Sequence, residues 1–357
     1  MLSSVGSIFS ATTLATDFQQ GCSTMSQQTP ARAGNYRAYA DAVVAALKAM
    51  YNPASGLFGN GEENWWTSAN ALEAVIDYSA CTGSETYLDL VSTTFQKNAS
   101  ANFINKYYDD EGWWALTWIK AYDLTGERTY LAMAQTIFVD MTTGWDDHCA
   151  GGVWWSKDRK YKNAIPNELF LTLAARLHQR VPGESSYLDW ANREWSWLSA
   201  SGMINDHHLI NDGLNDQCQN NGEPTWTYNQ GVILGGLVEM FHCSGNPSYL
   251  DRAEAIADAA IRTLVHERGI LREPCEPDCG RDGWQFKGIF MRNLSYFSRV
   301  RLKPAYTDFI LNNADSLWLH ARNAANQIGL MWYGPFDQPD PIRQGSALDA
   351  LNAAITL

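Results

Sequence analysis

The chain has 357 residues, with 26 Lys and Arg against 39 Asp and Glu, a net charge of −13. Phosphate binding needs clustered basic side chains, so this balance argues against a nucleic-acid partner and suits a neutral ligand. No apolar run reaches the ~18 residues of a helical membrane span. Hydrophobic residues at 45% and charged residues at 18% are the proportions of a globular protein with a large core.

Residues 1–34 contain no Lys or Arg before Arg32, and their apolar residues are diluted by Ser and Thr. This reads as a weakly ordered segment or a vestigial targeting sequence. No Gly/Ser-rich or Pro-rich linker divides the remainder, so 35–357 is expected to be one unit. A helix is expected over 36–50. A pattern then recurs: an aromatic-rich loop, an apolar helix, a turn with Gly, and Tyr-Leu opening a second helix. The copies are 65–77 with Gly83 and Tyr87-Leu88, 113–122 with Gly126 and Tyr130-Leu131, 167–178 with Gly183 and Tyr187-Leu188, and 228–241 with Gly245 and Tyr249-Leu250. Apolar residues at i, i+3, i+4 and i+7 mark amphipathic helices, and Gly can take the left-handed position that ends one. Further helices are expected over 286–318, and 346–357 can close the ring. The fold class is all-α, with an (α/α)6 toroid of helical hairpins preferred over an open solenoid of helix pairs.

Trp is in excess, at 15 residues, and pairs such as Trp65-Trp66, Trp113-Trp114 and Trp154-Trp155 lie beside loops. An indole can stack on the C–H face of a sugar and still donate through its N–H. Most single Trp belong in a core; the pairs beside loop glycines are candidate platforms, Trp65, Trp66, Trp113 and Trp155 first among them. Cys275 and Cys279 have the spacing of a short disulfide loop, and no clustered Cys or His completes a zinc set. The run Asn205-Asp206-His207-His208 with Asp212-Gly213 reads as a polar loop. Asp146-Asp147-His148 reads as capping or substrate contact. No Gly-x-Ser-x-Gly elbow is present.

Asp109 and Asp110 stand between Tyr107-Tyr108 and Gly112-Trp113-Trp114. Acidic residues favour helix N-termini, so capping is the plain explanation. Capping needs one carboxylate, however, and glycoside cleavage needs two. Neighbouring Asp side chains in one cleft can bring their carboxyls about 5 Å apart, the separation of a retaining mechanism. Mutual repulsion and aromatic walls would raise one pKa.

The segment Asp109-Asp110-Glu111-Gly112-Trp113-Trp114-Ala115-Leu116, with Tyr122 and Thr125-Gly126, resembles the catalytic segment of glycoside hydrolase family 76, the endo-α-1,6-mannanases. Three later segments resemble the same family in the same order: Tyr161-Lys162-Asn163-Ala164-Ile165-Pro166-Asn167-Glu168-Leu169, Trp226-Thr227-Tyr228-Asn229-Gln230-Gly231, and Phe286-Lys287-Gly288-Ile289-Phe290. The resemblance implies an (α/α)6 fold and retaining cleavage of α-1,6-linked mannose, with Asp109 as nucleophile and Asp110 as acid/base. It also implies that transfer is open to the same site, since fungal members act as cell-wall transglycosylases on mannose-containing anchors. It also implies that Cys149 pairs with Cys218, leaving Cys22, Cys81 and Cys243 as thiols.

Sugar contacts are expected from Trp65, Trp66, Trp113, Trp155, Lys162, Asn163, Tyr228, Asn229 and Gln230. The expected partner is a mannose-containing oligo- or polysaccharide, bound by a monomer that is secreted or at the cell surface. No metal and no cofactor are expected, since two carboxylates can supply both steps. Two other readings keep the same cleft: a non-hydrolytic enzyme of a small-molecule pathway, and an inactive carbohydrate-binding relative.

Overall fold

Gly83 and Gly126 end their helices as the pattern requires. Each adopts the left-handed conformation, with φ 70° and 75°, and donates its N–H to the carbonyl four residues back, on Ser79 and Tyr122. A side chain would be strained there, so the chain turns at these points rather than continuing the helix.

The computed structural model describes residues 30–357. Residues 1–29, most of the segment 1–34 and Cys22 with it, lie outside the described residues. Twelve helices of 11 residues or more follow: α1 (Pro30–Lys48), α2 (Trp65–Thr82), α3 (Leu88–Asn98), α4 (Tyr108–Thr125), α5 (Arg128–Thr142), α6 (Ala164–Arg180), α7 (Ser186–Ala200), α8 (Thr227–Ser244), α9 (Ser248–Thr263), α10 (Phe286–Val300), α11 (Pro304–His320) and α12 (Pro341–Ile355). A two-stranded antiparallel pair, β1 (Tyr51–Asn52) and β2 (Leu57–Phe58), lies between α1 and α2.

Burial separates two sets of helices. The even-numbered helices are enclosed nearly all round; α6 is buried without a break from Ala164 to Leu177. The odd-numbered ones bury a stripe: α9 hides Leu250, Ala253, Ile256, Ala257 and Ala260 and shows charge elsewhere. Helices apolar all round belong inside, and striped helices belong at a surface. Each even helix packs on the next, from α2 through α12, and α12 packs back on α2. The ring is closed, which excludes the open solenoid. The sixth hairpin joins the two ends of the described chain: α1 lies outside α12, with the Gln344 amide donating to the Val43 carbonyl at 3.0 Å.

Glycines let the inner helices touch. A Cβ on Gly231 would lie 2.6 Å from the Cα of Phe290, and one on Gly288 would lie 2.5 Å from the Cα of Ser346. The axis below carries charge from every inner helix: Glu73 and Asp77, Lys120, Arg176, Glu239, Arg292 and Asp349. At the other end, the first turns of the inner helices meet.

Candidate active site

Helix α4 begins earlier than the apolar pattern suggests, at Tyr108, so Asp109 and Asp110 lie in its first turn rather than on the loop before it. Asn105 makes that start. Its Oδ1 accepts the Tyr107 N–H at 2.8 Å, turning the chain, and its Nδ2 donates to Asp110 Oδ2 at 2.6 Å. Tyr107 is extended at the N-cap, and no side chain caps the helix there. Each of the adjacent carboxylates takes a side-chain donor, Asp109 from Trp155 and Asp110 from Asn105. Glu111, the third acid, is fully buried and turns to Lys157 at 2.9 Å.

The second wall is tied to the first by backbone. Tyr108 N–H donates to the Trp155 carbonyl at 2.9 Å, and Tyr107 bridges to Ser156. This places the Trp155 indole over the pair, where Nε1 donates to Asp109 Oδ2 at 2.9 Å. Trp155 packs on Tyr107 with ring centres 4.8 Å apart and stays 36% exposed, open to a ligand. Asp109 Oδ1 is buried with no protein partner.

The floor is aromatic and closed on itself. Trp66 lies on Trp113 (5.9 Å between ring centres), Trp113 on Tyr228 (6.4 Å), Tyr228 on Phe286 (3.8 Å) and Phe286 on Trp66 (6.2 Å). These four rings come from α2, α4, α8 and α10, brought together by the toroid. Asp212 and Asp282 stand around them, each held by an indole: Trp226 Nε1 donates to Asp212 at 3.1 Å and Trp66 Nε1 to Asp282 at 3.0 Å. Tyr161 also donates its hydroxyl proton to Asp212, at 2.5 Å.

Burial drives the electrostatics. It raises Asp109 well above the usual carboxylate range, and the charge of Asp110 raises it further. Burial pushes Asp110 up to about 7; the Asn105 amide pulls it back, and the charge of Asp282 adds to the rise. Both carboxyls therefore resist ionisation, and the charge of one makes ionisation of the other harder. Burial alone favours the proton on Asp109, the deeper group. The Trp155 N–H opposes this, because it stabilises the Asp109 anion.

The other expected contacts divide. Trp66, Trp113, Trp155 and Tyr228 are at the floor or wall just described. Trp65 faces away, between Phe103 and Trp114. Lys162 is buried, its ammonium held by Asp146 (2.8 Å) and by the His148 and Gly151 carbonyls (2.6 and 2.7 Å), so it braces the loop carrying Trp155. Asp146 also accepts from Trp154 Nε1 and from the His148 N–H. Asn163 precedes α6 and pairs through its backbone with Gly213. The Gln230 amide is spent on both backbone groups of Ile210. Asn229 is fully buried, with no protein partner for either amide atom. Asn105, Asp212, Asp282 and Phe286 were not among the expected contacts. Asp212 was read only as part of a polar loop.

Cys149 is bonded to Cys218 and Cys275 to Cys279, while Cys243 keeps its thiol. The first disulfide joins the loop of Trp155 to the loop of Asp212. The second closes the turn before Asp282.

The sequence profile of glycosyl hydrolase family 76 matches residues 35–357. The chain belongs to this family. Among family 76 relatives, the mannan endo-1,6-α-mannosidase DCW1 of Candida glabrata is 28% identical over 318 residues, covering 80% of this chain and 70% of its own length. A Listeria innocua protein of solved structure, Lin0763, is 28% identical with a TM-score of 0.80, covering 89% of this chain and 96% of its own. The same toroid is found in an α-1,6-mannanase of Salegentibacter, at 24% identity and TM-score 0.80, over 90% of this chain and 99% of the other. That structure is an inactive variant with two consecutive aspartates replaced by asparagine, in complex with α-1,6-mannotriose.

Proposed function

We propose that this family 76 glycoside hydrolase cleaves or transfers α-1,6-linked mannose with retention, using Asp109 as nucleophile and Asp110 as acid/base. The observation that carries the assignment is the indole of Trp155 donating to Asp109 while Asp110 is held separately by Asn105. Two adjacent carboxyls thus have different partners, which allows different roles. The names of the relatives supply the linkage, and the mannotriose-bound neighbour supports an aspartate pair as the reacting groups.

Asp110 donates its proton to the departing glycosidic oxygen as the Asp109 carboxylate attacks C1. The C1–oxygen bond breaks and a glycosyl ester on Asp109 forms. Asp110, now ionised, takes a proton from water or an acceptor hydroxyl, whose oxygen attacks C1 and releases Asp109. The step starts with Asp109 ionised, its anion stabilised by the Trp155 N–H, and the proton on Asp110; the positive charge that develops at the anomeric centre then stabilises the Asp109 carboxylate further. The aromatic floor supports the sugar faces, and Asp212 offers a carboxylate to hydroxyls.

Residues 35–357 are proposed as the catalytic unit. Secretion or cell-surface residence is proposed on the two disulfides. Incubation with linear α-1,6-mannan, with product analysis and an Asp109→Asn control, tests the activity. Turnover of the mannan that persists unchanged in Asp109→Asn would overturn the assignment.

A further inference from the structure

The amide that meets Asp110 is itself held in place. Asn105 donates its own N–H to Glu111 Oε1 at 3.3 Å, and its Oδ1 accepts the Tyr107 N–H at 2.8 Å. Glu111 is fully buried and lies 2.9 Å from the ammonium of Lys157, a residue whose backbone N–H donates to the Lys106 carbonyl at 3.0 Å. These bonds fix which way the amide lies. The Tyr107 N–H can only donate, so it needs the amide oxygen. The NH2 group is left to face Asp110, and Nδ2 donates to Oδ2 at 2.6 Å. Turned over, the amide would set donor against donor and oxygen against oxygen.

The two oxygens of Asp110 are thereby made unequal. Oδ2 receives the amide proton, and among the described residues no donor reaches Oδ1. A carboxylic acid that accepts an N–H on one oxygen keeps its own proton on the other, because two protons crowded on one oxygen repel. Oδ1 is therefore the oxygen that can exchange a proton with the cleft. The same N–H binds a carboxylate more strongly than a carboxylic acid, since a hydrogen bond to an ion is the stronger kind. Its support grows once Asp110 has given its proton away. The charges nearby do not supply that support. Asp109 shares the turn and Asp282 stands at the edge of the aromatic floor, both of them anions when ionised. Lys157 is taken by Glu111 and Asp140, and Lys106 by Asp158 at 2.7 Å.

We propose that Asn105 is a positioning residue of the second step: it fixes Asp110 with Oδ1 as the proton-transfer oxygen, and it supports the Asp110 anion until that anion takes its proton back. In that step the oxygen of water or of an acceptor hydroxyl attacks C1, the bond from C1 to Asp109 breaks, and the proton of the attacking group goes to Asp110 Oδ1. The inference rests on Asp110 being the acid/base group.

The test measures kcat and kcat/KM across pH with an aryl α-1,6-mannobioside whose leaving group is activated. Departure of such a group needs little acid, so kcat/KM reports attack by Asp109 and kcat reports release from it. Two variants of the full chain keep an acceptor for the Tyr107 N–H. Asn105→Ser has a hydroxyl that can serve the turn but is too short to reach Asp110, and Asn105→Asp sets a second carboxyl against Asp110. Asn105→Ser should move the acid limb of kcat up by about one pH unit, lower kcat on that limb roughly tenfold and leave kcat/KM within about twofold. Asn105→Asp should move the limb further. Azide, which attacks C1 without giving up a proton, should restore kcat in both. Helical circular dichroism checks folding, and either variant, once folded, decides. An unshifted limb, an equal fall in kcat and kcat/KM, or a kcat that azide does not raise overturns the proposal. If Asp110→Asn is not rescued by the aryl substrate with azide, the acid/base reading falls and this inference falls with it. If it is rescued and the limb of the Asn105 variants stays put, only the inference falls.

Discussion

Two neighbouring carboxyls in a dry, aromatic site cannot both ionise cheaply, and Asp109 and Asp110 show the consequence: both titrate upward. Asp109→Asn and Asp110→Asn are each expected to lower turnover of α-1,6-mannan by about three orders of magnitude or more while helical circular dichroism is unchanged. Only Asp110→Asn should recover with an activated leaving group. The same burial costs stability, and its sign can be worked out. Asp110 titrates near 7 in the folded protein and near about 3.9 when unfolded. Below both values each state is protonated, and the group costs the fold nothing. Between them only the folded state holds the proton, so stability falls as pH rises, and above about 7 the full cost is present. Asp110→Asn should therefore unfold at a higher temperature than the unsubstituted protein at pH 8, with the gain fading toward pH 4. Thermal unfolding at the two pH values measures it, and a gain that grows toward acid pH contradicts it. The pair was legible in the sequence because neighbours in the chain are neighbours in space. Asp282 was not: its bond to Trp66 spans 216 residues, and only the closed ring brings them together.

At the scale of helices, the repeat of apolar run, Gly and Tyr-Leu was enough to place the hairpins, since each signal is local. The boundaries were less legible. The apolar pattern began the second inner helix at Trp113, but the Asn105 turn starts it at Tyr108 and thereby puts the acids inside the helix. The expected stretch 286–318 divides into α10 and α11 around Pro304, which opens the second of the two. The inner glycines carried a meaning that sequence alone hid, because which helix lies opposite is a tertiary fact. Gly288 and Gly231 meet backbone, which cannot yield as a side chain can. Gly288→Ala should cost about 1–3 kcal/mol by forcing α10 away from α12. Gly236→Ala should cost less, because its new methyl would press chiefly on side chains, Thr172 Oγ1 at 2.9 Å first. Urea unfolding of both variants decides the order, and equal costs would mean that the close backbone approach does not limit packing.

The whole molecule is a ring whose two ends have opposite characters. The reacting end is open and aromatic, while the axis below is filled with charges from all six inner helices. Arg292 is central to that filling: it lies 3.4 Å from Glu73 and 3.5 Å from Asp349, and its guanidinium also donates to Asn70. Lys120 joins Glu73 at 3.1 Å, and Arg176 joins Glu239 at 2.8 Å. Such a set is weak evidence for stability as it stands, because each charge gave up water to enter. Breaking it is another matter, since the anions left behind remain buried without their cation. Arg292→Met should destabilise the protein by about 3–5 kcal/mol. The exposed pair of Lys48 and Asp89, 3.2 Å apart, provides the contrast, and Lys48→Ala should change stability by about 0.5 kcal/mol or less. The loss at Arg292 should also depend on pH. Without the guanidinium, Glu73 loses a charge that offsets its burial and its folded pKa rises, while Asp349, already pushed up to about 7 by burial, rises further above its unfolded value. Stability in the variant then falls as pH increases through that window, and the gap to the unsubstituted protein widens from pH 5 to pH 8. Denaturant unfolding of both proteins at these pH values gives the gap directly. A gap that is the same at both would mean that the axis charges stabilise the ring through packing rather than through one another.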